Sequence, residues 1–110
     1  MSEVVVVVTL RSRAGREDEM RAAVTAGCAA THEEDGCLVY AMHQGVEDPA
    51  RFAIVECWAS QAHLDTHLAL PETKDLIATI DGLAEGQPAF GVYAPLAAGD
   101  PAKGTLAGTG

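Results

Sequence analysis

The sequence predicts an α+β domain built on one antiparallel four-stranded sheet with its helices on one face. Three observations predict it. Strand-like runs over 4–10, 37–44, 51–58 and 87–96 are separated by helical patterns at 16–34, 60–69 and 72–83, in the order β-α-β-β-α-α-β. The second and third strands are joined only by residues 45–49, a loop of hairpin composition, which makes them antiparallel neighbours. The first strand carries Val4, Val5, Val6, Val7 and Val8 in succession, so both of its faces need cover.

β-Branched valines suit a pleated backbone. The chain's own helices cover one face of that strand. A chain of 110 residues has little left to cover the other, so the pattern predicts a second copy, a homodimer, across the open sheet face. Gly15 closes a turn, and 16–34 reads as one helix. Met20, Ala23, Val24, Gly27, Cys28 and Thr31 recur at helical spacing, while Arg16, Glu17, Asp18, Glu19 and Arg21 keep the opposite side wet. Acidic residues in its first turn complement the helix dipole. Gly36 is the expected C-terminal stop, since glycine tolerates the left-handed conformation.

On the third strand Phe52, Ile54, Glu56 and Trp58 share one face, and Ala53, Val55 and Cys57 share the other. Ser60 is a good N-cap for the short helix that follows. Leu64, His67 and Leu68 lie on one side of that helix, and Pro71 ends it. Leu76, Ile77, Ile80 and Leu83 form the buried row of the next helix, and Phe90, Val92 and Tyr93 belong to the last strand. This order fits a ferredoxin-like sandwich. Residues 1–96 are expected to form the domain. Residues 97–110, rich in Ala, Gly, Thr and Pro, are a tail that cannot build a core of its own.

At this length one domain buries roughly two-thirds of its unfolded surface, enough to fold without metals or disulfides. Sixteen acidic against seven basic side chains give a net charge of −9, a field that disfavours nucleic acid and anionic membrane surfaces as partners. The longest apolar run is far shorter than a membrane span, and no basic segment precedes a long apolar one, so a cytoplasmic location is expected. Cys28, Cys37 and Cys57 are an odd number with no C-x-x-C pair, which fits reduced thiols. There is no Gly-rich phosphate loop, no Rossmann fingerprint and no G-x-S-x-G elbow, so no nucleotide or flavin site is expected.

His67 is the candidate catalytic residue. Set among Leu64 and Leu68, a neutral imidazole can serve as a general base or orient a phenol. The competing reading is a core histidine bonded to a backbone carbonyl. Trp58 and Tyr40 are candidate walls of a flat aromatic pocket, against the plainer reading of ordinary core. Phe52 and Leu64 join them as candidate substrate-binding residues. Glu56, on an otherwise apolar face, must be paired or near a rim; it could hold His67 or an arginine, or form a structural salt bridge. His63 and His67 stand at a spacing that can bind zinc, but Leu64, Asp65 and Thr66 between them lack the glutamate of H-E-x-x-H, and no metal site is expected. His32 and His43 have no evident partners.

Glu34-x-Gly36-Cys37-x-x-Tyr40, Pro49-x-x-Phe52, Glu56-x-Trp58 and Ala62-x-x-x-x-His67-Leu68 together resemble the antibiotic-biosynthesis monooxygenase domain family. The resemblance extends over roughly 3–96, with its specific residues between 34 and 71. It implies a ferredoxin-like protomer paired into a dimeric α/β barrel. It also implies a cofactor-independent monooxygenase that oxidises a quinol or polyketide-type aromatic with molecular oxygen. His67 would help form the phenolate or enolate that passes an electron to oxygen, with Trp58 and Tyr40 orienting the ring. Two departures stand out. A second histidine often follows the proline after the helix in this family, and here Glu72 and Thr73 follow Pro71. The haem-degrading branch uses an asparagine on the first strand and a histidine about ten residues beyond the place of His67. This chain has no asparagine, and Ile77 stands at that distance. Two alternatives from other classes stay open: a non-catalytic dimeric protein that binds an aromatic metabolite, and a dimeric stress or structural protein whose pocket is filled by its own side chains.

Overall fold

The computed structural model describes residues 2–107. The elements are β1 (Val4–Arg11), α1 (Glu17–Ala26), α2 (Cys28–His32), β2 (Cys37–Gln44), β3 (Arg51–Trp58), α3 (Gln61–Ala69), α4 (Pro71–Leu83) and β4 (Ala89–Tyr93). The strands form one sheet in the order β2-β3-β1-β4, with every neighbouring pair antiparallel. Helices cover one face of it, which is the ferredoxin-like arrangement.

Register decides which side chains meet. Val6 lies opposite Glu56, Val8 opposite Ile54 and Leu10 opposite Phe52, while Tyr40 and Met42 lie opposite Glu56 and Ile54 from the other side. Because side chains alternate along a strand, these residues and Trp58 share the helix-covered face. They pack with Met20 and Val24 of α1, Leu64 of α3 and Ile80 and Leu83 of α4 into one core. Val6, Met20, Trp58 and Leu64 are fully buried. The opposite face presents Val5, Val7, Val39, Ala41 and Val55, all half-buried. The C-terminal segment returns past it, so that Leu96, Lys103, Thr105 and Leu106 border a surface hollow beside Val5 and Tyr93.

Three boundaries differ from the sequence expectation. The single helix over 16–34 is two, because Gly27 (φ −96°, ψ 1°) is both the C-cap of α1 and the N-cap of α2. Glycine is the weakest non-proline helix former, and here it lets α2 turn its one buried residue, Thr31, toward the sheet. Pro71 does not merely end α3; it opens α4 from the first turn, where its missing N–H costs nothing. The last strand is shorter than 87–96, because it pairs with β1 only from Ala89 to Tyr93.

Gly36 follows α2 at φ +79°, and its carbonyl accepts from the Ala59 N–H at 2.8 Å. This turn ties the end of α2 to the end of β3 and brings Glu34 toward α3. The cysteines are free, Cys57 buried and Cys28 and Cys37 half-buried. No helix among the described residues is long and apolar enough to cross a membrane.

Candidate functional site

Ser60, in extended conformation, caps α3 by accepting from the His63 N–H, which fixes the helix start and so the direction in which later side chains point. Seven residues on from the cap, His67 faces inward and is 4% exposed. Its Nδ1 lies 2.9 Å from Glu34 Oε1. The Trp58 ring lies against the imidazole with centroids 4.5 Å apart and planes tilted by 32°, and Tyr40 meets it edge-on at 5.7 Å. The histidine is thus held by two aromatic rings and one carboxylate drawn from β2, β3 and the end of α2.

Glu56 takes a different partner from the histidine weighed for it in the sequence. Its Oε1 accepts from Trp58 Nε1 at 2.9 Å, with both residues buried. Burial pushes the Glu56 carboxyl above the usual carboxylate range, opposed by the Trp58 hydrogen bond and by His67, and reinforced by Glu34. Burial likewise drives the Tyr40 hydroxyl far above its ordinary value, with the Glu56 carboxylate adding to the effect. Tyr40 is therefore a neutral hydrogen-bonding group at any physiological pH. His32, without an evident partner in the sequence, places Nε2 2.9 Å from the Tyr40 carbonyl; a carbonyl only accepts, so Nε2 carries the proton.

A cavity of about 190 Å³ opens between the sheet and α4. Tyr40, Glu56, His67, Thr73, Asp81 and Gln87 are its polar lining residues, and Val8, Ile54, Leu68, Leu76, Ile80 and Phe90 supply most of the apolar wall. Phe90 and Ile77 are about half exposed, 54% and 45%, and mark its mouth. A second hollow of about 320 Å³ lies on the other side of the histidine, bordered by Ala23, Ala26, Gly27, Ala30, Glu34 and Glu72. Tyr40, His67, Thr73 and Leu76 belong to both and separate them.

Of the residues singled out by sequence, Tyr40, Glu56 and His67 meet at the first cavity. Trp58, Phe52 and Leu64 do not line it; Trp58 lies behind the imidazole, and the other two are core. Sequence reasoning assigned no role to Glu34, Thr73 or Phe90. Glu34 stood in the quoted motif, and that position was the available signal. His63 is occupied elsewhere: Nδ1 is 2.7 Å from Ser60 Oγ and Nε2 is 3.4 Å from Asp35. Among the described residues, no three His, Cys, Asp or Glu side chains gather as a metal site.

Residues 3–79 match the family described as antibiotic biosynthesis monooxygenase. The chain belongs to this family. Solved structures agree with it. A candidate antibiotic biosynthesis monooxygenase from Deinococcus radiodurans is 30% identical, with a TM-score of 0.76 over 82% of this chain and 89% of that one. Rv0793 from Mycobacterium tuberculosis is 27% identical, with a TM-score of 0.81 over 86% of this chain and 96% of that one. A candidate antibiotic biosynthesis monooxygenase from Chloroflexus aurantiacus is 26% identical, with a TM-score of 0.74 over 89% and 97% of the two chains. No curated protein is similar enough to count as a match. Membership in the antibiotic biosynthesis monooxygenase family places the protein in a general monooxygenase-like class.

Proposed function

We propose that the protein is a dimeric, cofactor-independent monooxygenase that oxidises a quinol or polyketide-type aromatic with molecular oxygen. The observation that carries this reading is His67: an imidazole buried between two aromatic rings, with Nδ1 taken by Glu34 and its ring lining an apolar cavity. An engineered cavity of about 150 Å³ is enough for benzene. The 190 Å³ here accepts one aromatic ring, with a second reaching the mouth between Ile77 and Phe90.

In the reaction His67 takes the hydroxyl proton of the bound aromatic. The resulting phenolate passes one electron to oxygen, and the two radicals join as a hydroperoxide at a ring carbon. Loss of water leaves a new carbonyl. One oxygen atom enters the product, the other leaves in water, and the substrate supplies all the electrons. Tyr40, neutral and polar, donates to the developing oxygen anion. The cavity lining includes two carboxyl side chains, Glu56 and Asp81, and no lysine or arginine. That favours neutral substrates bearing hydroxyl donors over aromatic carboxylates.

Oxygen-electrode assays with substituted hydroquinones and naphthohydroquinones test the activity. Uptake above the buffer rate that falls at least about a hundredfold in H67A supports it, in line with the loss of a general base. Uptake at the buffer rate with every such substrate refutes it. Tight binding without turnover would instead favour the aromatic-binding reading, for which the preformed cavity is the supporting observation. The half-buried valines Val5, Val7 and Val55 on the open sheet face support the homodimer.

A further inference from the structure

We infer that Glu34 is a positioning residue that fixes His67 as the Nδ1–H tautomer and so leaves Nε2 as the proton-accepting nitrogen toward the cavity. The assignment of His67 as base rests on the function proposed above, whereas the tautomer follows from the contact itself.

A carboxylate has only acceptors, so a 2.9 Å approach of Nδ1 to Glu34 Oε1 places the proton on Nδ1. The neutral ring then has one lone pair, on Nε2. An imidazole left to water favours the opposite tautomer, with Nε2 protonated and useless as a base at that atom. The protein therefore has to supply the preference, and the partner on the other nitrogen is what sets it. Glu56, the other carboxylate near the ring, makes its hydrogen bond to Trp58 Nε1, whereas the imidazole makes its own to Glu34.

The ring cannot readily reorient. Trp58 flanks one side at a centroid distance of 4.5 Å and Tyr40 lies edge-on at 5.7 Å, so turning it over would break packing as well as the hydrogen bond. His67 stands between the two hollows. Glu34 borders the second one and its side chain is 22% exposed, against 4% for His67. When Nε2 takes a proton from a substrate hydroxyl, the imidazolium stands between the new phenolate and the Glu34 carboxylate. The second hollow gives the Nδ1 proton a way to water that does not pass through the apolar chamber.

Two-bond ¹H–¹⁵N correlation spectra of histidine-labelled protein read the tautomer directly, and the missing signals in H67N assign His67 among the four histidines. At a pH where the ring is neutral, wild type is expected to show a protonated Nδ1 and an unprotonated Nε2. E34Q keeps that pattern, because the amide oxygen still accepts, whereas E34A shifts the majority to protonated Nε2. A wild-type spectrum with Nε2 protonated overturns the inference even if no variant folds, and so does an unchanged spectrum in E34A. Wild type with the expected tautomer but no oxygen uptake keeps this inference and sinks the monooxygenase. Uptake with Nε2 protonated does the reverse.

Discussion

Replacing Trp58 with phenylalanine tests whether the Glu56 carboxylate depends on the indole. Trp58 is fully buried and Glu56 is 6% exposed, so the 2.9 Å hydrogen bond between them is largely shielded from bulk water. Leaving the buried carboxyl without its donor costs about 1–3 kcal/mol. The smaller ring adds about 1–2 kcal/mol for the void it leaves. Together these give a destabilisation of about 2–5 kcal/mol for W58F. In E56Q the side-chain oxygen still accepts from the indole but no charge is buried, so that variant alone stays within about 1 kcal/mol of wild type. In the double variant no buried carboxylate is left orphaned. The two substitutions should therefore fall short of additivity by about 1–2 kcal/mol. Acidity supplies a second reading of the same contact. Burial raises the Glu56 carboxyl in the folded state, so between its unfolded and folded pKa values the native protein holds more protons than the unfolded chain. Stability from this group is thus present at low pH and lost as pH rises through that window. E56Q should flatten this dependence, and W58F, by removing the bond that lowers the carboxyl, should extend it upward. Urea unfolding at fixed protomer concentration, repeated from pH 4 to pH 8, measures all of this. Additivity within about 0.5 kcal/mol, together with a W58F penalty that does not change with pH, would show that the Glu56 carboxyl does not depend on the indole.

Three further predictions follow from single positions. Gly36→Ala should destabilise by about 2–3 kcal/mol, since a left-handed φ of +79° strains any L side chain and its Cβ would stand 2.3 Å from His63 Cγ; adding H63A should recover only the contact, and full recovery in urea titrations would show that the backbone is not strained. Val55→Asp, on the open face opposite Val7, should yield a monomer by light scattering at micromolar concentration; a persistent dimer would move the interface off this face. Burial and the neighbouring Glu3 carboxylate push the Cys57 thiol up to about 11, so only about one thiol in a thousand is ionised at pH 8. Iodoacetamide at that pH should label it far more slowly than in unfolded chain, and equal rates would contradict the burial.

Period and punctuation made the fold legible. Strict two-residue alternation over 52–58 put Phe52, Ile54, Glu56 and Trp58 on one face, and the register with β1 keeps all four on the covered side. What stayed illegible was where helical spacing continues although the helix does not. Met20, Val24, Gly27 and Thr31 keep a helical period across the break, because α2 resumes the same inward face after Gly27. Periodicity records which residues face the core. It does not record one residue whose backbone leaves the helical path, and a glycine inside a helical pattern is compatible with either outcome.

The site was legible where its chemistry lay within one element and hidden where it depended on a meeting between two. His67 stood out because an imidazole among leucines is conspicuous on its own. Glu34 did not, because it stands between Glu33 and Asp35, and nothing local separates the middle carboxylate from its neighbours. The turn at Gly36, tied by its carbonyl to Ala59, is what carries Glu34 across to a histidine 33 positions away. Glu56 shows the converse. Its neighbours on the strand said that a buried carboxylate there needs a partner, but the pattern offered His67, an arginine or a salt bridge and not the indole two residues on. Once Glu34 occupies Nδ1, the imidazole has no proton left to offer Glu56, and the indole N–H is the donor that remains. Hydrogen-bond accounting around one ring thus settles both carboxylates, and it required the long-range pairing that no stretch of sequence displays.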